Sequence, residues 1–380
     1  MKLAIVRQKY TPFGGAERFV ERALTALAGR GLDVTIITRH WKGDSGDSRR
    51  KVRLCNPFHL GRLWRDAGFS RYVRAIVASG EFDLVQSHER IPGCHIYRAG
   101  DGVHATWLEL RARSQSRLAA WFTRLHPWHR YTLRTEAAMF RHPGLRAVIC
   151  NSRMVKDDIA RRFAVTEDKL HVIHNGVDLA FFHPDLRQEH RQRVRAELGI
   201  PATAPLVLFV GSGFERKGLF PLLQAVARLP DAHVLVVGKD RKLAQAKSLA
   251  QELGLADRAH FLGGQADVRP YYGAADVFAL PTLYDPFPNA VLEALACGLP
   301  VLTSPGSGAA ELIEARCGTV VDALDSAAQA LALTQLLAMG DDACHQARRA
   351  ASTCGSEDMA LKLETLYGSL MDGASFPARL

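Results

Sequence analysis

Long apolar runs are missing from this 380-residue chain. None reaches the roughly 18 to 20 residues a membrane span needs, and the opening MKLAIVRQKY meets charge again at Arg7, too soon for the apolar core of a signal peptide. A cytoplasmic protein is expected. Cysteine is sparse: seven, at 55, 94, 150, 297, 317, 344 and 354, with no C-x-x-C pair, which argues against a disulfide framework or zinc ligands and for reduced thiols. There is no G-x-G-x-x-G, which weakens the case for a dinucleotide oxidoreductase. Acid is scarce in the first half. Residues 1–200 hold 35 Lys and Arg against 20 Asp and Glu, a net +15, whereas residues 201–380 hold 14 against 19, a net −5. The imbalance points to two domains, the first facing something anionic: nucleic acid, a membrane surface or a phosphorylated substrate. A merely solvated basic surface is the other reading, and no nucleic-acid-binding motif accompanies the charge.

What is present describes an ordinary globular chain, 47% hydrophobic and 23% charged, long enough for two cores. Short Val/Ile/Leu-rich runs alternate with helix-length stretches: KLAIVRQ, DVTIITR, KVRLC, FDLVQSH, CHIYRAG, RAVICNS and LHVIHNG, then PLVLFVGS, AHVLVVG, RAHFLGG, DVFALPT, PVLTSP and GTVVD. Such alternation indicates parallel sheets covered on both faces, hence an α/β protein of two doubly wound domains. Their junction is expected in HNGVDLAFFHPD, residues 174–185, dividing the chain into 1–175 and 176–355. A terminal helix over 356–372, capped near Ser356, carries Met359, Leu363, Leu366 and Leu370 at helical spacing and is expected to pack back on the first domain.

Ligands of open parallel sheets sit beyond the carboxyl ends of the strands, which selects three loops. After the first strand, Gly14 and Gly15 precede a helix expected from about Ala16; they make either an anion site or a tight turn. In the second domain Gly211 and Gly213 lead to Arg216 and Lys217, two cations that either hold a pyrophosphate or face solvent. In LYDPFPNAVLEALACGLPVLTS, Pro286 and Pro288 keep Asp285 in a loop, Asn289 reads as the N-cap, and the amides of Ala290, Val291 and Leu292 open a helix that Gly298 stops. Asp285 and Glu293 could receive hydroxyls at opposite ends of one ligand whose phosphate rests on those amides, the layout of a sugar nucleotide. Alternatively, Glu293 and Asn289 cap the helix reciprocally.

The span from Asp285 to Glu293, followed by ALACGLPVLTS, resembles the E-x7-E signature of the family-four retaining glycosyltransferases, and GSGFERKG resembles their phosphate-binding loop. Gly14-Gly15 and HNGVD fall where that family has its N-terminal glycine loop and hinge, so the resemblance spans nearly the whole chain. Within the family the likeness is to the bacterial lipopolysaccharide core glucosyltransferases, through QKYTPFGGAERF, YRAGDGVH and VGSGFERKGL. One departure is Asp285, where the pattern has Glu. The resemblance implies two Rossmann-like domains facing a cleft, of GT-B type, with the acceptor on the first domain and the donor on the second. It implies that Arg216 and Lys217 neutralise the departing diphosphate. Glu293 would then hold the ribose, and Asp285 with the amides of Asn289 to Leu292 the hexose. Gly14, Gly15 and Gly211 would approach the donor, and domain closure would complete the site. No metal or other cofactor is implied, since the cations serve that purpose and no D-x-D motif sits in a suitable loop. On the acceptor side Asp101 would orient the attacking hydroxyl, unless it is only a turn residue, with His88, Arg98 and His104 as further candidates. The implied reaction moves a hexose, glucose from UDP-glucose, to a core sugar such as heptose. UDP-GlcNAc, GDP-mannose or ADP-heptose as donor, and a sugar-nucleotide epimerase, are the alternatives.

Residues 107–134 add a membrane expectation. Leu118, Trp121, Phe122 and Leu125 fall at helical spacing among Arg113, Arg117, Arg124 and Arg130, so a helix there can lie on the cytoplasmic face of the inner membrane and meet a lipid-linked, phosphorylated acceptor. In the competing reading the apolar stripe packs on the sheet and the arginines contact the acceptor's phosphates.

Overall fold

The computed structural model describes residues 2–10, 33–41 and 51–372. Gly14, Gly15 and the helix expected from about Ala16 lie outside the described residues. The first sheet contains β1 (Lys2–Val6), β3 (Asp33–Thr38), β5 (Lys51–Leu54), β6 (Leu84–Ser87), β7 (Ile96–Arg98), β8 (Ala147–Cys150) and β9 (Leu170–Val172). A short parallel pair joins β2 (Lys9–Tyr10) to β4 (His40–Trp41). The second sheet contains β10 (Leu206–Val210), β11 (His233–Val237), β12 (Ala259–Gly263), β13 (Val277–Ala279), β14 (Val301–Thr303) and β15 (Gly318–Val320). All 13 runs read from the sequence are among these strands; β2 and β4, at two residues each, are too short to carry a pattern.

Both sheets are parallel and doubly wound. Their orders are β5-β3-β1-β6-β7-β8-β9 and β12-β11-β10-β13-β14-β15. In each, the chain builds outward from a central strand, then returns to build the other side, so the order reverses between β1 and β6 and between β10 and β13. Buried on both faces, the central strands have no polar side to show: Leu3, Ala4, Ile5 and Val6 are fully buried, as are Leu206, Val207, Leu208 and Phe209.

The described residues form two compact units, one running to Asn175 and resuming at Glu357, the other Gly176–Ser356. The division falls inside the segment 174–185. The terminal helix Ser356–Asp372 supplies Met359, Leu363, Leu366 and Tyr367 to the core that Leu3, Ile5, Ile36, Leu84, Ile96 and Ile149 form on one face of the first sheet. Full burial of each such side chain contributes about 1.5–3 kcal/mol. Ser356 does not cap this helix: it is the first helical residue, and its hydroxyl is buried without a hydrogen-bond partner.

Residues 107–134 do not form one helix. They fall in three, His104–Ala112, Arg117–Leu125 and Pro127–Phe140. Ser116 caps the second by accepting from the Ala119 amide at 3.3 Å, and Pro127 opens the third, which keeps His126 out of the helical region. In the middle helix nothing is buried: Leu118, Trp121 and Phe122 are 73%, 56% and 65% exposed. The apolar stripe therefore does not pack on the sheet. Arg113, Arg117, Arg124 and Arg130 are exposed around it. Among the described residues no helix is long and apolar enough to cross a membrane, and all seven cysteines are free thiols.

Candidate active site

The loops after β10 and β13 meet where the second sheet reverses, the position at which α/β sheets bind ligands. Gly218 permits the meeting. At φ 77° it takes a conformation that side chains disfavour, and a Cβ there would fall 2.0 Å from the Pro281 carbonyl oxygen. The Arg216 carbonyl accepts from the Leu283 amide at 2.8 Å and the Thr282 hydroxyl at 3.0 Å, which sews one loop to the other. Arg216 Nη1 then donates to the Tyr284 carbonyl at 2.9 Å and to Asp285 Oδ2 at 3.1 Å. Lys217 runs across Gly211, where a Cβ would fall 2.5 Å from its Cδ, and places Nζ 3.4 Å from the same Asp285 oxygen.

Asp285 and the two cations, expected to take separate roles, come together in the structure. Burial favours the neutral form of Asp285, but Lys217 and then Arg216 outweigh it and hold the carboxyl below the usual carboxylate range. Two cations against one carboxylate leave a surplus positive charge. Lys217 and Asp285 are each only 13% exposed while Arg216 is 35% exposed, so the surplus reaches solvent chiefly through the guanidinium. The pair is thus not the simple solvent-facing Arg-Lys that its sequence also allowed.

The helix after this loop begins at Asn289, with Pro288 in the cap position at φ −71° and ψ 117° and no side-chain capping bond. Asn289 is therefore the first helical residue rather than the expected N-cap. Proline, with φ fixed and no amide hydrogen, suits the extended residue just before a helix as well as its first turn. Val291 already donates to the Pro288 carbonyl at 3.1 Å, which leaves its amide less available to a phosphate than expected. The helix ends at Ala296, and Gly298 turns the chain at φ 77° as its position suggested, with Leu299 bonded back to the Ala294 carbonyl at 2.9 Å. Ala290 is partly buried and Leu292 faces the core. Glu293 is buried and accepts from the Tyr272 hydroxyl at 3.0 Å, which also reaches the Ala290 carbonyl at 3.2 Å. Tyr272 was not singled out from the sequence. The apolar setting of RPYYGAAD hid a hydroxyl that fixes a carboxylate 21 residues away.

In the first unit, the end of β6 and the turn after β7 gather His88, Arg98 and Asp101. His88 is buried and held well below the ordinary histidine range by burial, then by Arg7 and Arg98. Its Nε2 lies 3.1 Å from Gln86 Nε2, and the side-chain Oε1 of Gln86 accepts from the Tyr367 hydroxyl of the terminal helix. Arg98 is buried, pushed down to about 9 by burial, and donates to Asn175. Asp101 is exposed at the tip of a turn that Gly102 closes onto the Ala99 carbonyl at 3.0 Å. That turn is pinned by two residues missed from the sequence: Arg90 donates to the Gly102 carbonyl at 2.8 Å and to Glu136 at 2.7 Å, and Glu136 accepts from the His104 amide at 2.9 Å. The His104 ring does not join this group. It stacks on His129 with nitrogens 2.9 Å apart and is pushed down to about 3 by burial, Arg90, His129 and Arg62.

Among the described residues no group of three or more His, Cys, Asp and Glu is placed to hold a metal ion. Two family models match the chain, Glycosyltransferase Family 4 over residues 13–181 and Glycosyl transferases group 1 over residues 190–353. The lipopolysaccharide glucosyltransferase WaaG of Escherichia coli (strain K12) is 29% identical over 332 residues, 84% of this chain and 85% of that one. A D-inositol 3-phosphate glycosyltransferase of Mycobacterium sp. (strain KMS) is 30% identical over 367 residues, 86% of this chain and 78% of that one. Among solved structures, the crystal structure of WaaG, a glycosyltransferase involved in lipopolysaccharide biosynthesis, matches with a TM-score of 0.79 at 26% identity, covering 96% of this chain and 99% of the other. The likeness runs through both domains, and the fold is of the GT-B type.

Proposed function

Because the chain belongs to glycosyltransferase family 4, we propose that it transfers glucose from UDP-glucose to a lipopolysaccharide core sugar such as heptose, retaining the anomeric configuration and using no metal. The observation that carries this reading is the Arg216, Lys217 and Asp285 cluster at the reversal of the second sheet, whose surplus positive charge suits a departing diphosphate. Glucose and the lipopolysaccharide acceptor are supported by the name of the E. coli relative. Glu293, oriented by Tyr272, receives the ribose hydroxyls. Asp285 receives the hexose with the amides from Asn289 to Leu292, apart from that of Val291, which the Pro288 carbonyl already engages. An Asp285 that spends its oxygen on two cations is a poor nucleophile, which favours an oxocarbenium-like front-face route over a covalent intermediate. In the first domain Asp101 orients the attacking hydroxyl, near His88 and Arg98.

A thermal-shift screen of UDP-glucose, UDP-GlcNAc, GDP-mannose and ADP-heptose tests the donor. UDP-glucose at 100 times its dissociation constant raises stability by about 2.7 kcal/mol. A shift with one of the other nucleotides and none with UDP-glucose overturns the assignment, and free epimerised sugar nucleotide formed without acceptor identifies an epimerase.

The acceptor in this reading is lipid-linked, and the first domain meets it on the cytoplasmic face of the inner membrane. Support comes from the exposed Leu118, Trp121 and Phe122 with Arg113, Arg117 and Arg124 about them. A basic residue at an anionic leaflet contributes about 1 kcal/mol, so these suffice for weak, reversible attachment. Co-sedimentation with anionic vesicles is expected at low salt and is reduced by Arg113→Gln, Arg117→Gln and Arg124→Gln together. Absence of binding, or indifference to those changes, removes the membrane contact and leaves the transferase assignment intact.

A further inference from the structure

Asp240 stands outside every motif that carries the family likeness, in the loop after β11. Its Oδ2 accepts from the Gly213 amide at 2.8 Å and the Phe214 amide at 3.0 Å, and its Oδ1 from the Lys242 amide at 2.7 Å. A carboxylate of the protein itself therefore fills the pair of amides that a glycine-rich loop would turn toward a phosphate. The two loops touch elsewhere without side chains: a Cβ on Gly238 would fall 2.1 Å from the Gly211 carbonyl oxygen. A second tie joins Lys242 Nζ to Glu215 Oε2 at 2.6 Å.

These contacts bracket Arg216 and Lys217. Phe214, whose amide Asp240 holds, has a fully buried ring edge-on to Phe209 with centroids 6.0 Å apart. The turn closes when the Lys217 amide donates to the Gly213 carbonyl at 2.9 Å. Setting the planes of Gly213 and Phe214 thus sets where Lys217 leaves the backbone and crosses Gly211. Burial pulls Asp240 toward its neutral form, but the amides of Lys242, Phe214 and Gly213 reverse this and hold the carboxyl below the usual range, so it stays an anion at neutral pH.

We propose that Asp240 is a positioning residue for the transfer reaction, a built-in hydrogen-bond acceptor that fixes the turn from Gly211 to Lys217 so that the donor's diphosphate is met by the Arg216 and Lys217 side chains and not by the turn's amides. The inference rests on the proposed role of those two cations. Displacing catalytic groups by about 1 Å can cost about a hundredfold in rate. Asp240→Ala is expected to lower kcat for UDP-glucose about tenfold or more while the protein still melts cooperatively. Asp240→Asn, whose carbonyl oxygen can still accept from the Gly213 and Phe214 amides although the bond from the Lys242 amide is lost, is expected to recover most of the loss. Amide hydrogen exchange at Gly213 and Phe214 is read in the same proteins and should quicken at least tenfold in the Ala variant. Wild-type kcat in the Ala variant, unchanged exchange at the two amides, or an Asn variant as slow as Ala overturns the proposal. If wild-type protein binds no UDP-glucose, the donor assignment fails, and the exchange measurement still decides whether Asp240 holds the turn. Should the Ala variant not fold, the Asn variant with wild-type exchange and reduced kcat overturns the proposal, and wild-type values in both support it.

Discussion

Replacing Asp285 with Asn leaves Arg216 and Lys217 without the carboxylate that they meet at 3.1 and 3.4 Å. The cations should stay in place. Arg216 keeps its bond to the Tyr284 carbonyl at 2.9 Å, and the Lys217 stem still lies across Gly211. What changes is the field that a diphosphate encounters. A phosphate oxygen beyond Lys217 Nζ, at a charge-assisted distance of about 2.8 Å, lies about 6 Å from Asp285 Oδ2. At an effective dielectric of about 20, unit charges about 6 Å apart repel by about 2.8 kcal/mol. Water around the 35%-exposed Arg216 screens part of this. About 1–2 kcal/mol remains, a five- to thirtyfold gain in affinity. Asp285→Asn is therefore expected to bind UDP more tightly than wild type by isothermal titration calorimetry at fixed ionic strength, while transferring glucose more slowly at saturating donor. Asp285→Glu should restore both toward wild type. UDP affinity that is unchanged or weaker in a folded Asn variant would refute the electrostatic reasoning.

Lys217→Ala and Arg216→Ala are each expected to slow transfer about a hundredfold or more, as loss of a charge that stabilises the leaving group should; wild-type steady-state rates in both would remove the pair from the mechanism. Glu293→Gln should raise KM for the donor more than it lowers kcat, and Tyr272→Phe, which removes the hydroxyl 3.0 Å from Glu293, should act the same way but less. Equal loss of kcat and kcat/KM in Glu293→Gln would contradict that role. Burial holds His104 at about 3 and His129 at about 4, whereas unfolded histidine takes its proton near pH 6.5. The unfolded chain then binds more protons between these limits, so stability present above about pH 6.5 is lost as pH falls toward 4 and 3. The melting midpoint should fall across that window and fall less steeply in His104→Gln; parallel curves would argue against the pair as the cause.

The strands were legible because β-branched runs such as DVTIIT and LVLFV declare burial on both faces, and Gly298 because a stop before PVLTS needs a positive φ. The loops that hold Arg216, Lys217 and Asp285 followed from the carboxyl ends of the parallel strands, whereas the points at which strand order reverses were not read from the sequence. Illegible were the contacts that cross long sequence separations. Asp285 lies 69 residues from Arg216, and nothing local announces that they share a bond. Asp240 and Glu136 look like ordinary surface acids until the amides and guanidinium that they hold are placed beside them. The division of residues 107–134 into three helices was within reach. Ser116 ahead of RLAAWFTRL and Pro127 after it are a cap and a helix start, signals that the apolar stripe taken alone does not carry.

The helix Ser356–Asp372 completes a core whose other members were translated hundreds of residues earlier. On the ribosome, at about 5–20 residues per second, roughly 10–40 s pass between the emergence of the first sheet and that of this helix. The second unit, continuous from Gly176 to Ser356, can finish folding in that interval. The first cannot. Until Met359, Leu363, Leu366 and Tyr367 arrive, Leu3, Ile5, Ile36 and Ile149 offer an apolar face to whatever the nascent chain meets. A chain that stops before Glu357 is therefore a client for chaperones or proteases rather than a slow enzyme, and a nonsense mutation just ahead of Glu357 should be as severe as one far upstream of it.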